Sequence, residues 1–376
     1  MDKIKVMLVF GTRPETIKMA PLVKELSARP EFDCKVCVTA QHRQMLDQVL
    51  EAFHIVPDYD LDIMRPGQTL SDITARVLKG LEEVIQKEKP HMVLVHGDTT
   101  TTFAGALAAY YCQTAVGHVE AGLRTHNKYS PYPGEMNRQF VGCMADLHFS
   151  PTQQSRQNLL DEGKKAESIV VTGNTAIDAL STTVREDYCA PALDPVLEWA
   201  KDSRLIVLTA HRRENLGQPM HRMFRAIRRV AEEFPDVKVV YPVHLNPLVR
   251  QAAEEELGGC QSIRLIEPME VVEFHNLLAR SYLILTDSGG IQEEAPSLGK
   301  PVIVLRDTTE RPEGVTAGTL KLAGTEEESI YGLVRQLLTD GAEYKRMSQA
   351  GNPYGDGQAS RRIADAIVEY MKGRAQ

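Results

Sequence analysis

The chain has 376 residues, 43% of them hydrophobic and 25% charged, enough for two α/β domains with cores of their own. Its 43 Lys and Arg against 51 Asp and Glu leave a net charge of −8, which argues against a nucleic-acid partner. No apolar run approaches the roughly 20 residues that span a bilayer, and Met1 to Val6 leads directly into a strand-like run with no signal-peptide pattern, so a cytoplasmic enzyme with no membrane partner is expected.

In chain order, strands are predicted over 4–10, 35–39, 92–96, 115–119, 147–149 and 169–171, with helical periodicity over 21–28, 45–53, 70–87 and 102–111 between them. The second half repeats the scheme, with strands over 205–208, 237–241, 263–265, 282–285 and 301–305 and a helix over 220–233. Alternation of this kind predicts α/β architecture: two Rossmann-like, doubly wound parallel-sheet domains, residues 1–172 and 173–358, then a closing helix within 359–376. Cys34 and Cys37 form a C-x-x-C, but three residues apart on a strand they point to opposite faces. The other four cysteines are scattered, so neither a redox pair nor a metal site is expected.

In open parallel sheets ligands bind beyond the carboxyl ends of the strands. Those ends carry Gly11-Thr12-Arg13-Pro14-Glu15 with Lys18 one turn on, Gln41-His42-Arg43-Gln44, His96-Gly97-Asp98 and His118-Val119-Glu120. In the second half they carry His211-Arg212-Arg213-Glu214-Asn215, Pro242-Val243-His244, Asp287-Ser288-Gly289-Gly290 and Arg306-Asp307, with Arg311 nearby. The most informative stretch is 282–295. A buried strand ends at Thr286 and Asp287, and Ser288, Gly289 and Gly290 turn tightly into a helix expected to open at Ile291. Such a turn offers backbone N–H groups to a phosphate, and Glu293 or Glu294 in the first turn can accept hydrogen bonds from a ribose.

Arg13, Lys18, His211 and Arg311 supply positive potential for a pyrophosphate, and Asp98, Glu120 and Glu135 supply carboxylates that a nucleotide alone does not need. Together they suggest proton transfer on a nucleotide-linked substrate, with no cofactor, since no G-x-G-x-x-G, Walker lysine motif or metal-ligand cluster occurs. Each residue has a plainer alternative. Asp98 can cap the next helix; Glu120 and Glu135 can be solvated loop carboxylates; His211 can belong to a surface basic cluster; Arg13 can be an exposed turn residue; and His96 and His118 sit inside apolar runs as core histidines do.

The segments Gly-Thr-Arg-Pro-Glu (11–15), His-Gly-Asp-Thr-Thr (96–100), His-Val-Glu-Ala-Gly-Leu-Arg-Thr (118–125) and Glu-Met-Asn-Arg (135–138) resemble the bacterial non-hydrolysing UDP-N-acetylglucosamine 2-epimerases. So do Thr-Ala-His-Arg-Arg-Glu-Asn (209–215), Asp-Ser-Gly-Gly-Ile-Gln-Glu-Glu-Ala (287–295) and Arg-Asp-Thr-Thr-Glu-Arg-Pro-Glu (306–313), so that the likeness runs over residues 4–357. The resemblance implies a GT-B fold with the nucleotide sugar between its halves, a final helix crossing back onto the first half, and a homodimer. It also implies reversible conversion of UDP-N-acetylglucosamine to UDP-N-acetylmannosamine through a bound 2-acetamidoglucal and UDP, with the first domain on the sugar and acid/base side and the second on the UDP side.

Carried onto matching positions, Asp98, Glu120 and Glu135 become acid/base candidates, and Arg13, Lys18, His211 and Arg311 hold or stabilise the departing diphosphate. Ser288, Gly289 and Gly290 bind phosphate, Glu294 the ribose, and Phe274 lies near the uracil. Many bacterial members carry a second, activating UDP-N-acetylglucosamine site, whose matching positions here are Gln41, Gln44, Arg212 and His244. Two positions depart from that pattern. Gly67 stands where related chains can have Arg, and Gly134 where they often have a second Glu. A hydrolysing 2-epimerase, a GT-B glycosyltransferase and a non-enzymatic nucleotide-sugar sensor are the alternatives. Each is distinguished by the product formed from UDP-N-acetylglucosamine.

Overall fold

Uninterrupted apolar runs such as Val6–Phe10 can be satisfied only by burial on both faces, which is the environment of a central parallel strand. The computed structural model describes residues 3–40, 43–129, 131–309 and 311–374. Its elements run β1 (Ile4–Phe10), α1 (Arg13–Ala28), β2 (Phe32–Val38), α2 (Arg43–Ala52), β3 (Tyr59–Asp60), α3 (Leu70–Glu88), β4 (Met92–His96), α4 (Thr100–Tyr111) and β5 (Ala115–Val119). There follow α5 (Gly134–Met144), β6 (Leu147–Ser150), α6 (Gln153–Asp161), β7 (Ile169–Val171), α7 (Thr175–Thr183), α8 (Asp194–Trp199), β8 (Arg204–Thr209), α9 (Gln218–Glu233), β9 (Val237–Pro242) and α10 (Pro247–Leu257). The chain closes with β10 (Ile263–Ile266), α11 (Val271–Ala279), β11 (Leu283–Thr286), α12 (Gly289–Glu294), β12 (Val302–Val304), α13 (Pro312–Ala317), β13 (Leu320–Leu322), α14 (Glu327–Thr339), α15 (Gly341–Ser348) and α16 (Ala359–Arg374).

The elements form two units, Met1–Thr182 with Tyr354–Gln376, and Thr183–Pro353. The first holds a seven-stranded sheet in the order β3-β2-β1-β4-β5-β6-β7, and the second a six-stranded sheet in the order β10-β9-β8-β11-β12-β13. Every pairing is parallel. Two Rossmann-like sheets in one chain are the composition of a GT-B protein. In each sheet the strand order reverses once, between β1 and β4 in the first and between β8 and β11 in the second. The loops leaving those four strands are where a doubly wound sheet leaves a crevice.

The first sheet is covered on one face by α1 and α16, whose Met19, Leu22, Ile363 and Ile367 join one apolar cluster, and on the other by α3 and α4 around Val77, Leu81, Ala104 and Ala108. Cys34 packs on the first of these clusters and Cys37 in the second, so their thiols lie on opposite faces of β2, as the strand period requires. Burial pushes the thiols up to about 11 and about 12 respectively, which keeps both protonated. Among the described residues no helix is long and apolar enough to cross a membrane.

Sequence and structure differ at several boundaries. The first helix starts at Arg13, eight residues before the expected Pro21, which lies inside it. Pro21 reads as a helix start because it lacks an N–H, but the real start is set by Thr12 and Glu15, which form a capping box around Pro14. Strands β3 and β13 were not expected: Tyr59-Asp60 and Leu320-Lys321-Leu322 each carry a charged residue and offer no apolar run, unlike the equally short Ile169-Val170-Val171. Residues 175–183, at the start of the expected second domain, form α7.

Candidate functional site

At the reversal point of the first sheet, one carboxylate fastens the two adjoining loops. Glu15 is 2% exposed and accepts hydrogen bonds from the N–H groups of Gly11 (3.1 Å) and Thr12 (2.8 Å) and from the hydroxyls of Thr12 (2.8 Å), Thr99 (2.7 Å) and Thr102 (3.3 Å). The loop bearing Arg13 and Lys18 is thereby tied to the loop bearing Asp98. Glu15 stood inside a strand-end motif, but an acidic residue in the first turn of a helix reads as a cap, and nothing in the sequence said that its donors come from two loops.

Lys18 Nζ bonds the Glu120 carboxylate; Asn174 Nδ2 donates to the same oxygen at 3.0 Å, and His96 Nε2 stands 3.6 Å from it. The Glu120 side chain is 12% exposed. Its backbone adopts φ +63°, a left-handed conformation that costs a glutamate about 1–3 kcal/mol, and the next N–H, of Ala121, is fixed on Phe149 O at 3.0 Å. Burial opposes ionisation of Glu120, but the charges of Lys18 and His96 outweigh it and hold the carboxyl well below the usual range.

Asp98 presents a 32% exposed side chain and pairs with Arg138 Nη2 at 2.5 Å. It is not the cap of α4: Thr99 is, its hydroxyl accepting from Thr102 N at 3.1 Å. Arg138 also reaches Glu135 at 3.3 Å. Glu135 is fully buried, and each of its oxygens takes two donors: Thr125 N (3.1 Å) and Arg138 on Oε2, His126 N (3.2 Å) and Gln139 Nε2 (3.1 Å) on Oε1. Burial raises its pKa, but the Thr125 N–H, Gln139, the His126 N–H and Arg138 bring the net shift below the ordinary value. Neither Glu120 nor Glu135 is a solvated loop carboxylate. His118 is a core residue, with Nε2 donating to Gly97 O at 2.8 Å and burial pushing its pKa down to about 3. His96 is equally buried yet belongs to the Glu120 group, and an apolar flanking sequence gave no sign of that.

At the reversal point of the second sheet Asp287 has the organising part. It is fully buried at the end of β11 and accepts from His211 N (3.0 Å), Arg212 N (2.9 Å) and Asn215 Nδ2 (3.1 Å). His211 Nδ1 lies 3.2 Å from its other oxygen. Burial opposes the charge on Asp287, and His211 with the Arg212 N–H lowers its pKa in spite of that. The imidazole of His211 is 43% exposed and stacks on the exposed ring of His244, centroids 5.6 Å apart. His211 is thus an anchored side chain and not part of a loose basic cluster. Arg212 Nε donates to Asp287 O at 3.0 Å.

The helix after β11 opens at Gly289, two residues before the expected Ile291, so both glycines belong to its first turn. Glu293 is 3% exposed and takes Arg311 Nε at 2.8 Å, which fixes the loop before α13. Glu294 keeps a 14% exposed side chain and lies 3.4 Å from His275 Nε2. Phe274, on α11, packs against the apolar cluster under this end of the sheet. Arg13 is the first, half-buried residue of α1. Gln41 lies outside the described residues, and the Gln44 side chain is likewise not described.

These two constellations can be set beside known proteins. Residues 24–368 match the family model of UDP-N-acetylglucosamine 2-epimerase. A UDP-N-acetylglucosamine 2-epimerase of Bacillus subtilis is 68% identical over 376 residues, covering 100% of this chain and 98% of the relative. The crystal structure of a candidate UDP-N-acetylglucosamine 2-epimerase from Listeria monocytogenes superposes with TM-score 0.94 at 59% identity, covering 99% of this chain and 97% of that one. A Neisseria meningitidis UDP-GlcNAc 2-epimerase, solved with UDP-GlcNAc bound, gives TM-score 0.86 at 49% identity over 97% of this chain and 100% of its own. With the family model matched over residues 24–368 and the Bacillus subtilis relative aligned over the whole chain, the chain belongs to the UDP-N-acetylglucosamine 2-epimerase family.

Proposed function

We propose that this protein interconverts UDP-N-acetylglucosamine and UDP-N-acetylmannosamine without hydrolysis, by eliminating UDP and adding it back. The observation that carries the reading is the Lys18–Glu120 pair beside Asp98 on Arg138, at the reversal point of one sheet, in a chain whose other sheet carries an anchored, exposed imidazole at the same place. A base that removes the proton from sugar carbon-2 must be ionised, and Glu120 is held so. Cleavage of the bond from carbon-1 to oxygen puts charge on the leaving diphosphate, which Arg13, Lys18, His211, Arg311 and the N–H groups of Ser288–Gly290 stabilise on this reading. The 2-acetamidoglucal and UDP remain bound; UDP then re-adds while carbon-2 is protonated on its other face. Asp98 and Glu120, the two carboxylates with solvent access, handle the proton directly. Glu135 sets Arg138 and through it Asp98, and acts on the sugar itself only when its donors let go.

On the same reading residues 1–172 serve the sugar and residues 173–358 the UDP, with Glu294 on the ribose and Phe274 near the uracil. The protein is then a cytoplasmic homodimer that feeds cell-envelope polysaccharide synthesis. The test is turnover of UDP-N-acetylglucosamine in deuterated water. The expected product is UDP-N-acetylmannosamine with deuterium at carbon-2. Free N-acetylmannosamine with UDP overturns the non-hydrolysing assignment, and an unlabelled epimer overturns elimination.

A further inference from the structure

We propose that His275 is a positioning residue for nucleoside recognition, orienting Glu294 toward the ribose hydroxyls; this rests on the reading of Glu294 given above. His275 is 2% exposed on α11 and touches both ends of a short chain of polar groups. Its Nδ1 is 2.7 Å from Thr183 Oγ1 and its Nε2 3.4 Å from Glu294 Oε2. A carboxylate only accepts, so Nε2 carries the ring proton, and Nδ1 then accepts from the Thr183 hydroxyl. The order Thr183 hydroxyl, imidazole, carboxylate fixes the tautomer and the plane of the ring together.

The ring is also held from behind. Asn276, fully buried, donates to Thr183 O at 2.7 Å and to Val272 O at 2.8 Å, and accepts from Arg185 N at 3.0 Å. Thr183 and His275 therefore cannot drift apart without breaking backbone contacts. With Oε2 directed at the imidazole, the other Glu294 oxygen is directed toward the first turn of α12: a Cβ added to Gly290 would stand 3.9 Å from Oε1. That is the glycine turn assigned to phosphate, and a ribose lies one linkage from its phosphate. The terminal torsion of a glutamate is broad and poorly restrained by itself, so a buried partner that fixes it removes disorder that ligand binding would otherwise have to remove.

The test compares the affinity of the full-length protein for UDP with that for 2′,3′-dideoxy-UDP, by calorimetry. The parent should prefer UDP by about tenfold or more, the size of a charge-assisted hydrogen bond to a hydroxyl. Glu294→Ala should abolish the preference. His275→Ala should reduce it at least to about a third, and His275→Gln, which places an amide N–H near Nε2, should restore most of it. Thr183→Val, nearly isosteric and away from the ligand, should reduce it as well. Affinity for the dideoxy nucleotide should stay unchanged in the His275 and Thr183 variants, which a general loss of structure could not produce. If Glu294→Ala loses the preference while His275→Ala and Thr183→Val keep it, the positioning role falls and the ribose reading stands. A parent with no preference for UDP, or a Glu294→Ala protein that keeps the parent's preference, overturns both.

Discussion

Lys18 and Glu120, 102 residues apart in sequence, form one ion pair at the reversal point of the first sheet, and that pair decides the charge of a buried carboxylate. Burial alone would raise the pKa of Glu120; Lys18 and then His96 reverse the sign. Replacing Lys18 with Met removes the larger favourable charge and leaves only that of His96 against burial, so Glu120, the proposed base, is ionised only at higher pH. The acid limb of the kcat/KM profile should move upward by about one pH unit or more, with activity at pH 6 lost more severely than at pH 9. A uniform loss at every pH would show that Lys18 acts on the diphosphate alone.

The three carboxylates should separate on substitution by their amides. Asp98→Asn and Glu120→Gln should lower kcat by about 100-fold or more while leaving UDP affinity nearly intact, because on the proposed reading these two side chains meet the sugar and not the nucleotide. Glu135→Gln should in addition lower the melting temperature. Both Glu135 oxygens already take two donors, so either orientation of an amide turns its NH2 against two N–H groups, at a cost of about 1–3 kcal/mol. A Glu135→Gln protein as stable as the parent would contradict the buried network. Arg13→Ala and His211→Ala should instead weaken UDP binding, turnover or both.

A third expectation concerns acid. His118 on β5 and His148 on β6 stand opposite each other in register, 1% and 2% exposed, and the Nδ1 of each is buried without a hydrogen-bond partner. Burial is the main cause that holds them neutral, down to about 3 and about 4; each ring also feels Arg124, His148 feels Lys164, and Asp146 and Glu162 offset part of the effect on His148. The folded values lie below the unfolded value near 6.5, so the unfolded chain binds protons first as pH falls. The stability these residues contribute is complete above about pH 6.5 and erodes toward pH 4, by about 1.4 kcal/mol per pH unit for each residue. Between pH 7 and pH 5 the melting temperature of the parent should therefore fall more steeply than that of His148→Gln. Parallel curves would refute the assignment.

The parts of the site that could be read from sequence are those that a local rule exposes. Strand ends are marked where an apolar run meets polar residues, so His211, Asp98 and Glu120 stood out, and so did the sheets that carry them. The organising residues were less visible for the same reason. Glu15, Asp287 and Arg138 work by accepting from, or reaching, several loops at once, and those partners are 84, 76 and 40 residues away in the pairs with Thr99, His211 and Asp98. Nothing in a linear window distinguishes such a residue from an ordinary cap or surface charge. The two short strands and the true start of α1 escaped for a different reason: the first offer no apolar run, since Asp60 and Lys321 interrupt them, and the second depends on a capping box that a later proline obscured.

Activation by a second molecule of UDP-N-acetylglucosamine should be weak in this protein. Arg212 donates to Asp287 and His244 stacks on His211, but Gly67 stands where, on the family resemblance, related chains can offer an Arg. Losing that guanidinium removes a charge-assisted contact worth about 1.5–3 kcal/mol where it is made. Arg65 is near in sequence, yet its Nη1 is already donating to Met64 O at 2.6 Å and Asp62 O at 2.9 Å, so recruiting it would break contacts within its own turn. Gly67 itself has φ +69°, a conformation that resists a larger residue, so the turn is built around the glycine. At Gly134 an added Cβ would fall 2.7 Å from Asp98 Oδ2, and the carboxylate occupies space that a second Glu would contest. Both departures point the same way. Started from pure UDP-N-acetylmannosamine, the reaction should begin at once with a linear rate that traces of the other epimer barely change. A long lag abolished by such traces would mean that activation survives without the arginine.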